Sequence, residues 1–322
     1  MSVATTPTTT VQRAVRRRNG MGVDTRRVLE LVVAVDWSAS ASPKTGRDSI
    51  WIAARWVDRA GGGPMLCNPA TRHEAAGVVR SLVASCAGGV LLGCDFSLGY
   101  PVGFAAAVCG DRGLEPWEAM WRTLGESIED DERNRNNRFM VAASLNELAG
   151  EPPGPFWGSP RSFVDPRLGS TRPSGWPWSW PELRRCEVRL RREGYRPFTN
   201  WQLGGAGSVG GQVLTGIAWL ERLRRAPELE ARVTMWPYQT GFVDDPWAQR
   251  PDAVVVAEAW PTLLAPDASG HPVRDAAQVL GVSDRLVGEA QGGGLAGWLA
   301  PRLTRQDAPV ARSDEGWILG AH

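Results

Sequence analysis

Two apolar runs, LVVAVDWS at residues 31–38 and VLLGCDFS at residues 90–97, decide the fold of this chain. Each has the composition of a buried β-strand, and each ends in an aspartate followed two residues later by a serine. In α/β proteins, the carboxyl ends of the strands form the edge at which ligands bind. The runs therefore predict that Asp36 and Asp95 lie at a functional edge of a sheet.

The segments between these runs predict that the two strands are neighbours. SIWIAARWV (49–57) and PMLCNPA (64–70) predict a second and a third strand in an antiparallel meander. A capping box at 71–74 then opens a segment with helical spacing. The order strand, strand, strand, helix, strand is that of the ribonuclease-H fold, in which the fourth strand lies beside the first. We therefore expect an α/β fold with a ribonuclease-H-like mixed sheet that brings Asp36 and Asp95 together.

The rest of the chain predicts one domain with an arm and an insertion. Residues 1–26 are rich in Thr and then in Arg, which predicts a disordered basic arm. Residues 27–322 are expected to form a single domain. Residues 101–230 form an insertion of helices and Pro-, Gly- and Trp-rich loops, and α/β character returns in two strands at 232–239 and 253–261 and a helix from about residue 272.

Composition limits the classes of function. The formal net charge of +1 gives no overall basic field for nucleic acid, although a local patch is compatible with it. No apolar stretch reaches the roughly 20 residues that span a bilayer, and the N-terminus lacks the apolar core of a secretion signal, so we expect a cytoplasmic protein without a membrane partner. Five widely spaced cysteines predict buried reduced thiols.

Four acidic residues are candidates for catalysis. Asp36, Asp95 and Glu258 each end an apolar run, and Asp275 falls in the first turn of a predicted helix. Phosphoryl hydrolysis assisted by divalent ions needs several such oxygen ligands. We therefore predict Asp36, Asp95 and Glu258 as ligands of Mg²⁺ or Mn²⁺. The alternative is structural: the aspartates cap loops or a helix, and Glu258 pairs with an arginine.

Small polar residues and glycines are candidates for substrate binding. The stretch 204–211 contains a literal G-x-G-x-x-G, but no clear strand precedes it, so a dinucleotide site is disfavoured against an anion-binding nest of backbone N–H groups. Lys44 is the single lysine of the chain and could contact a phosphate, or it could be a chance survivor in a loop. The predicted substrate contacts are Ser38, Lys44, Ser97, Gly207, Ser208 and Gln239.

Several segments together resemble a known family. They include VDWSASASPKTGRDSIW (35–51), CDFSLGYPVGF (94–104), NNRFMVAASLN (136–146), WQLGGAGSVGGQVLTGI (201–217), VAEAWPTLL (256–264) and DEGWILG (314–320). The chain is similar to an uncharacterised bacterial family related to predicted ribonuclease-H-like nucleases, some members of which carry names connected with cobalamin biosynthesis. The resemblance implies a ribonuclease-H-like core with acids at Asp36, Asp95, Glu258 and Asp275. Gln239 stands where the family often has an acid.

These observations predict a divalent-metal-dependent phosphodiester hydrolase of the nuclease type. Its partner would be nucleic acid or a phosphate-containing small molecule. The alternative is a non-catalytic or transferase-like protein that binds a small anionic metabolite or nucleotide on the same core, since a fold does not dictate a function. The absence of a G-x-S-x-G elbow and of a Walker pattern disfavours a serine hydrolase and a P-loop nucleotidase.

Overall fold

The structure is a computed structural model that describes residues 29–58, 62–150, 152–176 and 179–322. The predicted basic arm at 1–26 lies outside the described residues.

One mixed sheet of six strands forms the centre of the described chain. The strands are β1 (Leu29–Asp36), β2 (Trp51–Trp56), β3 (Met65–Cys67), β4 (Gly89–Cys94), β5 (Val233–Met235) and β6 (Val254–Glu258). Their spatial order is β3-β2-β1-β4-β6-β5. β1, β2 and β3 pair antiparallel, whereas β4 lies parallel to β1, β6 parallel to β4, and β5 parallel to β6. The predicted meander and the predicted contact between the first and fourth strands are both confirmed.

Two inner strands are fully buried, and the two edge strands are short. The apolar residues of β4 and β6 are buried on both faces, as strands inside a parallel sheet must be. β5 and β3 have only three residues each and form the two edges. The chain therefore places the later strand β6 beside β4 and leaves the earlier strand β5 outside it.

Helices cover both faces of the sheet. They are α1 (Arg72–Ser85), α2 (Phe104–Cys109), α3 (Pro116–Ser127), α4 (Arg138–Leu148), α5 (Arg185–Arg192), α6 (Gly210–Arg224), α7 (Pro261–Leu264), α8 (Arg274–Gly292), α9 (Leu295–Leu299) and α10 (Asp307–Val310), with a π-helical turn at Ala311–Glu315. α1 and α6 pack on the face formed by Val33, Val35 and Leu92. α8 packs on the opposite face, against Val32, Ala34 and Leu91.

The chain between β4 and β5 forms helices and loops that pack on one another and on the sheet. α3 buries Trp117 and Trp121 one helical turn apart, and α4 buries Val141, Ala142 and Leu145. Trp176 is buried and donates its indole N–H to the carbonyl of Pro155, and Trp180 packs edge-on against Phe104. The tryptophans therefore fold mostly onto their own domain, while Trp178 lies outside the described residues.

Two further predictions concern membranes and cysteines. Of the helices described, none combines the length and the apolar character that crossing a bilayer requires. All five cysteines are free thiols; Cys86, Cys94 and Cys186 are buried as predicted, whereas Cys67 and Cys109 are only half-buried.

Candidate functional site

Asp36 and Asp95 lie side by side at the ends of β1 and β4. The parallel pairing extends past both strands, because the amide of Asp95 donates to the carbonyl of Val35 at 3.1 Å. The amide of Trp37 donates in turn to Oδ1 of Asp95 at 2.9 Å. The two carboxyl groups are close enough to share a hydrogen bond. The predicted adjacency of these two aspartates is therefore confirmed.

The two carboxyl groups strongly perturb each other's protonation. Burial raises the pKa of Asp36 well above its usual value, and the negative charges of Asp95, Asp275 and Asp48 raise it further. Burial also raises the pKa of Asp95 to about 6, although hydrogen bonds from Asp36 and from the amide of Trp37 partly offset that rise. Two adjacent carboxyl groups of this kind resist ionising together unless a cation lies beside them.

Asp275 lies near these two carboxyl groups, because Asp36 is on the face of the sheet that α8 covers. Asp36 continues the series Val32 and Ala34, whose side chains face α8. Asp275 lies in the first turn of α8, and its Oδ2 accepts a hydrogen bond of 2.6 Å from the amide of Asp48. Asp48 has a left-handed backbone with φ of 51°, which aspartate tolerates better than most residues. The acidic residues therefore converge from β1, β4, the β1–β2 loop and α8.

A cleft of about 550 Å³ opens in front of this acidic cluster. Asp36, Asp48 and Asp275 line one part of it, and the glycine-rich loop 204–208 lines another. Three of the predicted substrate contacts, Ser38, Gly207 and Ser208, also line the cleft. We call this the acidic cleft.

Arg138 is the cationic side chain that lines the acidic cleft. Its guanidinium donates to Oδ1 of Asn136 at 2.8 Å and lies 4.3 Å from the ring centroid of Phe139. Its Nε is buried without a hydrogen-bond partner, and Arg138 forms no ion pair with any residue that the structure describes. Burial and the nearby charge of Arg72 lower the pKa of Arg138 to about 10, so the group stays protonated at neutral pH.

Helix α6 fixes the backbone that follows Asp36. The indole of Trp37 donates to the hydroxyl of Thr215 at 3.2 Å and stacks on Trp219, with ring centroids 4.4 Å apart. The side-chain amide of Gln212 donates to the carbonyl of Trp37. Because these contacts fix Trp37, they also fix its amide against Asp95.

Glu258 does not join the acidic cluster. It continues the series Val254 and Val256, which face the opposite side of the sheet from Asp36. Both of its carboxylate oxygens accept hydrogen bonds from the fully buried guanidinium of Arg184, at 2.7 and 2.8 Å. Arg184 also binds Glu187, at 2.8 Å. The geometry therefore favours the structural role for Glu258, an ion pair with an arginine, over the predicted metal ligand.

Three predicted substrate contacts lie outside the acidic cleft. Ser97 is buried, and its hydroxyl donates to Oδ1 of Asn200 at 2.9 Å, beside the Arg184 network. Gln239 accepts a hydrogen bond of 3.0 Å from the amide of Met235 and thereby closes the turn after β5. Lys44 is 43% exposed and reaches Oδ2 of Asp48 at 3.5 Å, so it contacts the cleft only through that ion pair.

Sequence reasoning missed Asp48, Arg138 and Gln212. Asp48 and Gln212 carry no local signal, because only the tertiary contacts bring their segments to the cleft. Arg138 carried a weak local signal, because a cation in the first turn of a helix is destabilised by the positive end of the helix dipole. An arginine at that position is better explained by a tertiary role than by helix stability.

The donor set of this site consists of carboxylate oxygens. Within the described part of the chain, no group of three or more His, Cys, Asp or Glu side chains is arranged to hold a metal ion. Mg²⁺ commonly takes one or two carboxylates from a protein and completes its shell with water and substrate phosphate. The Asp36–Asp95 pair supplies that number of carboxylates.

Comparisons with protein-family models, with curated proteins and with solved structures find no match to this chain.

Proposed function

We propose that the protein is a phosphodiester hydrolase that depends on a divalent cation, Mg²⁺ or Mn²⁺, held by Asp36 and Asp95. The observation that carries this proposal is the contact between these two carboxyl groups, of which Asp36 lines an open cleft. We also infer that the sheet is ribonuclease-H-like. The antiparallel β3-β2-β1 meander with β4 parallel to β1 supports this inference, and β5 is an additional edge strand.

The chemistry of the donor set fits such a cation. Two half-buried carboxylates that repel each other gain most from a divalent ion between them, because the ion removes the repulsion and replaces lost hydration. Hard oxygen donors select Mg²⁺ or Mn²⁺ over softer metals. Asp275 contacts the amide of Asp48 and adds negative charge without being required as a direct ligand. The acidic cleft also repels phosphate until its charge is neutralised, so binding of cation and substrate should be coupled.

Each group around the cleft has a role in this proposal. A divalent cation in such a site makes water more acidic and stabilises the charge that develops on phosphoryl oxygens. Arg138 would bind a non-bridging phosphate oxygen, because its guanidinium lines the cleft without an ion-pair partner in the described chain. The hydroxyls of Ser38 and Ser208 would orient the ester. Trp37 and Gln212 position the Asp95 carboxylate from behind.

The proposal is tested by hydrolysis of bis(4-nitrophenyl) phosphate and of labelled DNA and RNA, each with Mg²⁺ or Mn²⁺ and with EDTA. We expect cation-dependent cleavage that falls about 10³-fold in Asp36→Asn and in Asp95→Asn. The matched control is Asp111→Asn, which changes an exposed aspartate whose carboxylate accepts from the amide of Gly113. Full activity in both site variants would refute the proposal, as would the absence of cleavage with every substrate and cation.

A second function has one observation in its favour. Arg138 and the glycine-rich loop could hold a small anionic metabolite or nucleotide without any hydrolysis, as in a binding protein or a transferase. Thermal stabilisation by inorganic phosphate or a nucleotide in EDTA, lost in Arg138→Gln and kept in Asp36→Asn, would favour this alternative.

A further inference from the structure

A second cleft, of about 600 Å³, lies beside the acidic cleft. It is bounded by the loop after α5, by the chain around Trp157 and by the loop at 172–176. Its walls combine aromatic rings with arginines, so we call it the aromatic–arginine cleft. None of its side chains takes part in the acidic cluster.

Two aromatic rings are presented at this cleft. Phe198 is 54% exposed, which is costly for so large an apolar side chain. Tyr195 is partly exposed and packs at a tilt against Trp260, with ring centroids 5.8 Å apart. Trp157 and Trp176 form the deeper wall. Rigid aromatic rings at a concave surface suit a flat ligand that stacks on them.

The cleft carries net positive charge. Arg172, Arg191 and Arg196 line it against a single acid, Glu182. Glu182 lies 3.4 Å from Arg191. Arg172 and Arg196 have no ion pair with any other residue described here, and the Arg172 guanidinium lies 5.6 Å from the ring centroid of Trp176. The ligand that fits this charge is an anion.

The glycine-rich loop is the wall between the two clefts. The ring of Phe198 packs so closely on Gly207 that a Cβ at that position would lie 2.5 Å from Cε1 of the ring. Gln202 lines the aromatic–arginine cleft and donates to the carbonyls of Gly204 and Ala206, which line the acidic cleft. A chain molecule that occupies one cleft can therefore continue over this loop into the other.

We propose that the aromatic–arginine cleft binds an unpaired nucleic acid strand next to the acidic cleft. This inference rests on the proposed function, because it names the substrate class of that site. Bases would stack on Phe198 and Tyr195, and phosphates would pair with Arg172 and Arg196. Aromatic rings that alternate with cations are the usual surface for single strands, whereas the bases of a duplex are already stacked on one another.

The test measures binding without cleavage. Fluorescence anisotropy follows a labelled oligothymidylate of about twelve nucleotides in EDTA at about 50 mM salt. We expect Phe198→Leu, which keeps an apolar contact with Gly207, to weaken binding about tenfold, and Phe198→Tyr to retain it. The double variant Arg172→Gln/Arg196→Gln should bind more weakly still, with a salt slope smaller by about 1.4.

Two controls make the result specific. Arg250→Gln removes an exposed arginine before the amino end of β6 and should leave binding unchanged. The acidic cleft lies at the opposite end of the strands, at the carboxyl ends of β1 and β4. A hairpin duplex of similar length should bind more weakly than the single strand. Equal binding by Phe198→Leu, the double arginine variant and wild type would overturn the proposal, as would preference for the duplex or no binding by wild type at about 100 μM.

The outcome is separable from that of the proposed hydrolase. Binding in EDTA needs neither the cation nor catalysis, so a strand that binds at Phe198 but is never cleaved would refute only the hydrolase. Conversely, cleavage that the cleft variants leave unchanged would refute only the strand-binding surface.

Discussion

Replacing Asp36 with asparagine should stabilise the cation-free protein, although the residue belongs to the proposed active site. Asp36 and Asp95 are partly buried and close together; burial raises the pKa of both, and the negative charge of Asp95 raises the pKa of Asp36 further. An asparagine keeps the shape of the side chain and can donate its N–H to the Asp95 carboxylate. It removes one of the two charges that the fold holds together at an energetic cost.

The pKa of Asp95 gives the magnitude. A rise from 3.8 to about 6 corresponds to roughly 3 kcal/mol of unfavourable free energy for the ionised group at pH 8. Asp36 is buried by the same packing, so we take this figure as the order of magnitude for ionising its carboxylate, which the asparagine avoids, and subtract about 1 kcal/mol for burying the new amide. The expected net gain is about 2 kcal/mol, or about 3 °C in Tm for a chain of this size.

The assay is thermal unfolding at about pH 8, with EDTA or with Mg²⁺ at about a hundred times its Kd. In EDTA, Asp36→Asn should melt about 3 °C above wild type. With Mg²⁺, wild type should gain about 2.7 kcal/mol of stability, and the variant should gain almost nothing. The difference in Tm between the variant and wild type would then narrow or change sign.

Two results would refute this reasoning. A variant less stable than wild type in EDTA would mean that the pair stabilises the fold rather than serving a cation. An equal response of both proteins to Mg²⁺ would place the ion elsewhere. Asp111→Asn serves as the control, because that exposed residue should change neither the Tm nor the response to Mg²⁺.

Three other predictions concern pH and packing. Between about pH 4 and pH 6, the folded state holds a proton on Asp95 that the unfolded chain has lost, so the free energy of unfolding in EDTA should fall as the pH rises through this range. The affinity for Mn²⁺, measured by calorimetry, should rise over the same range, because the cation binds the ionised carboxylate. A free energy of unfolding that rises with pH, or an affinity that falls, would contradict the assignment. Arg184→Met should cost about 3 to 5 kcal/mol in urea unfolding, because it leaves Glu258 buried without its partner, and a loss below about 1 kcal/mol would show that the pair is dispensable. Gly216→Ala should cost about 1 to 3 kcal/mol in the same experiment, because the new Cβ would lie 2.5 Å from the ring of Phe96, and a neutral result would mean that the ring moves freely.

Much of the sheet was predictable because its strands are strongly apolar. The runs ending at Asp36 and Asp95 are long enough to be recognised as buried strands, and the helix between them requires a parallel crossover. The first turn of α8 was also predictable, because proline and aspartate at its start are helix-initiating residues. These features were predictable because they depend on the composition of short stretches of sequence.

The face of the sheet taken by each carboxylate was not predictable. β1, β4 and β6 are buried on both faces, so their sequences lack the alternation that would show which side chains point toward α8. Asp36 and Glu258 both end apolar strands and look equivalent in the sequence. The register of β4 with β6 places Glu258 beside Cys94, on the side opposite Asp36, where Arg184 binds it.

The amino-acid sequence by itself determined that this chain forms an α/β sheet with Asp36 and Asp95 at neighbouring strand ends, because hydrophobic runs and helix signals are local properties. Only the tertiary structure decided which other groups join them. Asp48 and Arg138 reach the cleft from distant segments and join the predicted Asp275 there, while Glu258 turns away into a buried ion pair. Those choices depend on strand register and on packing between layers, which no short stretch of sequence encodes.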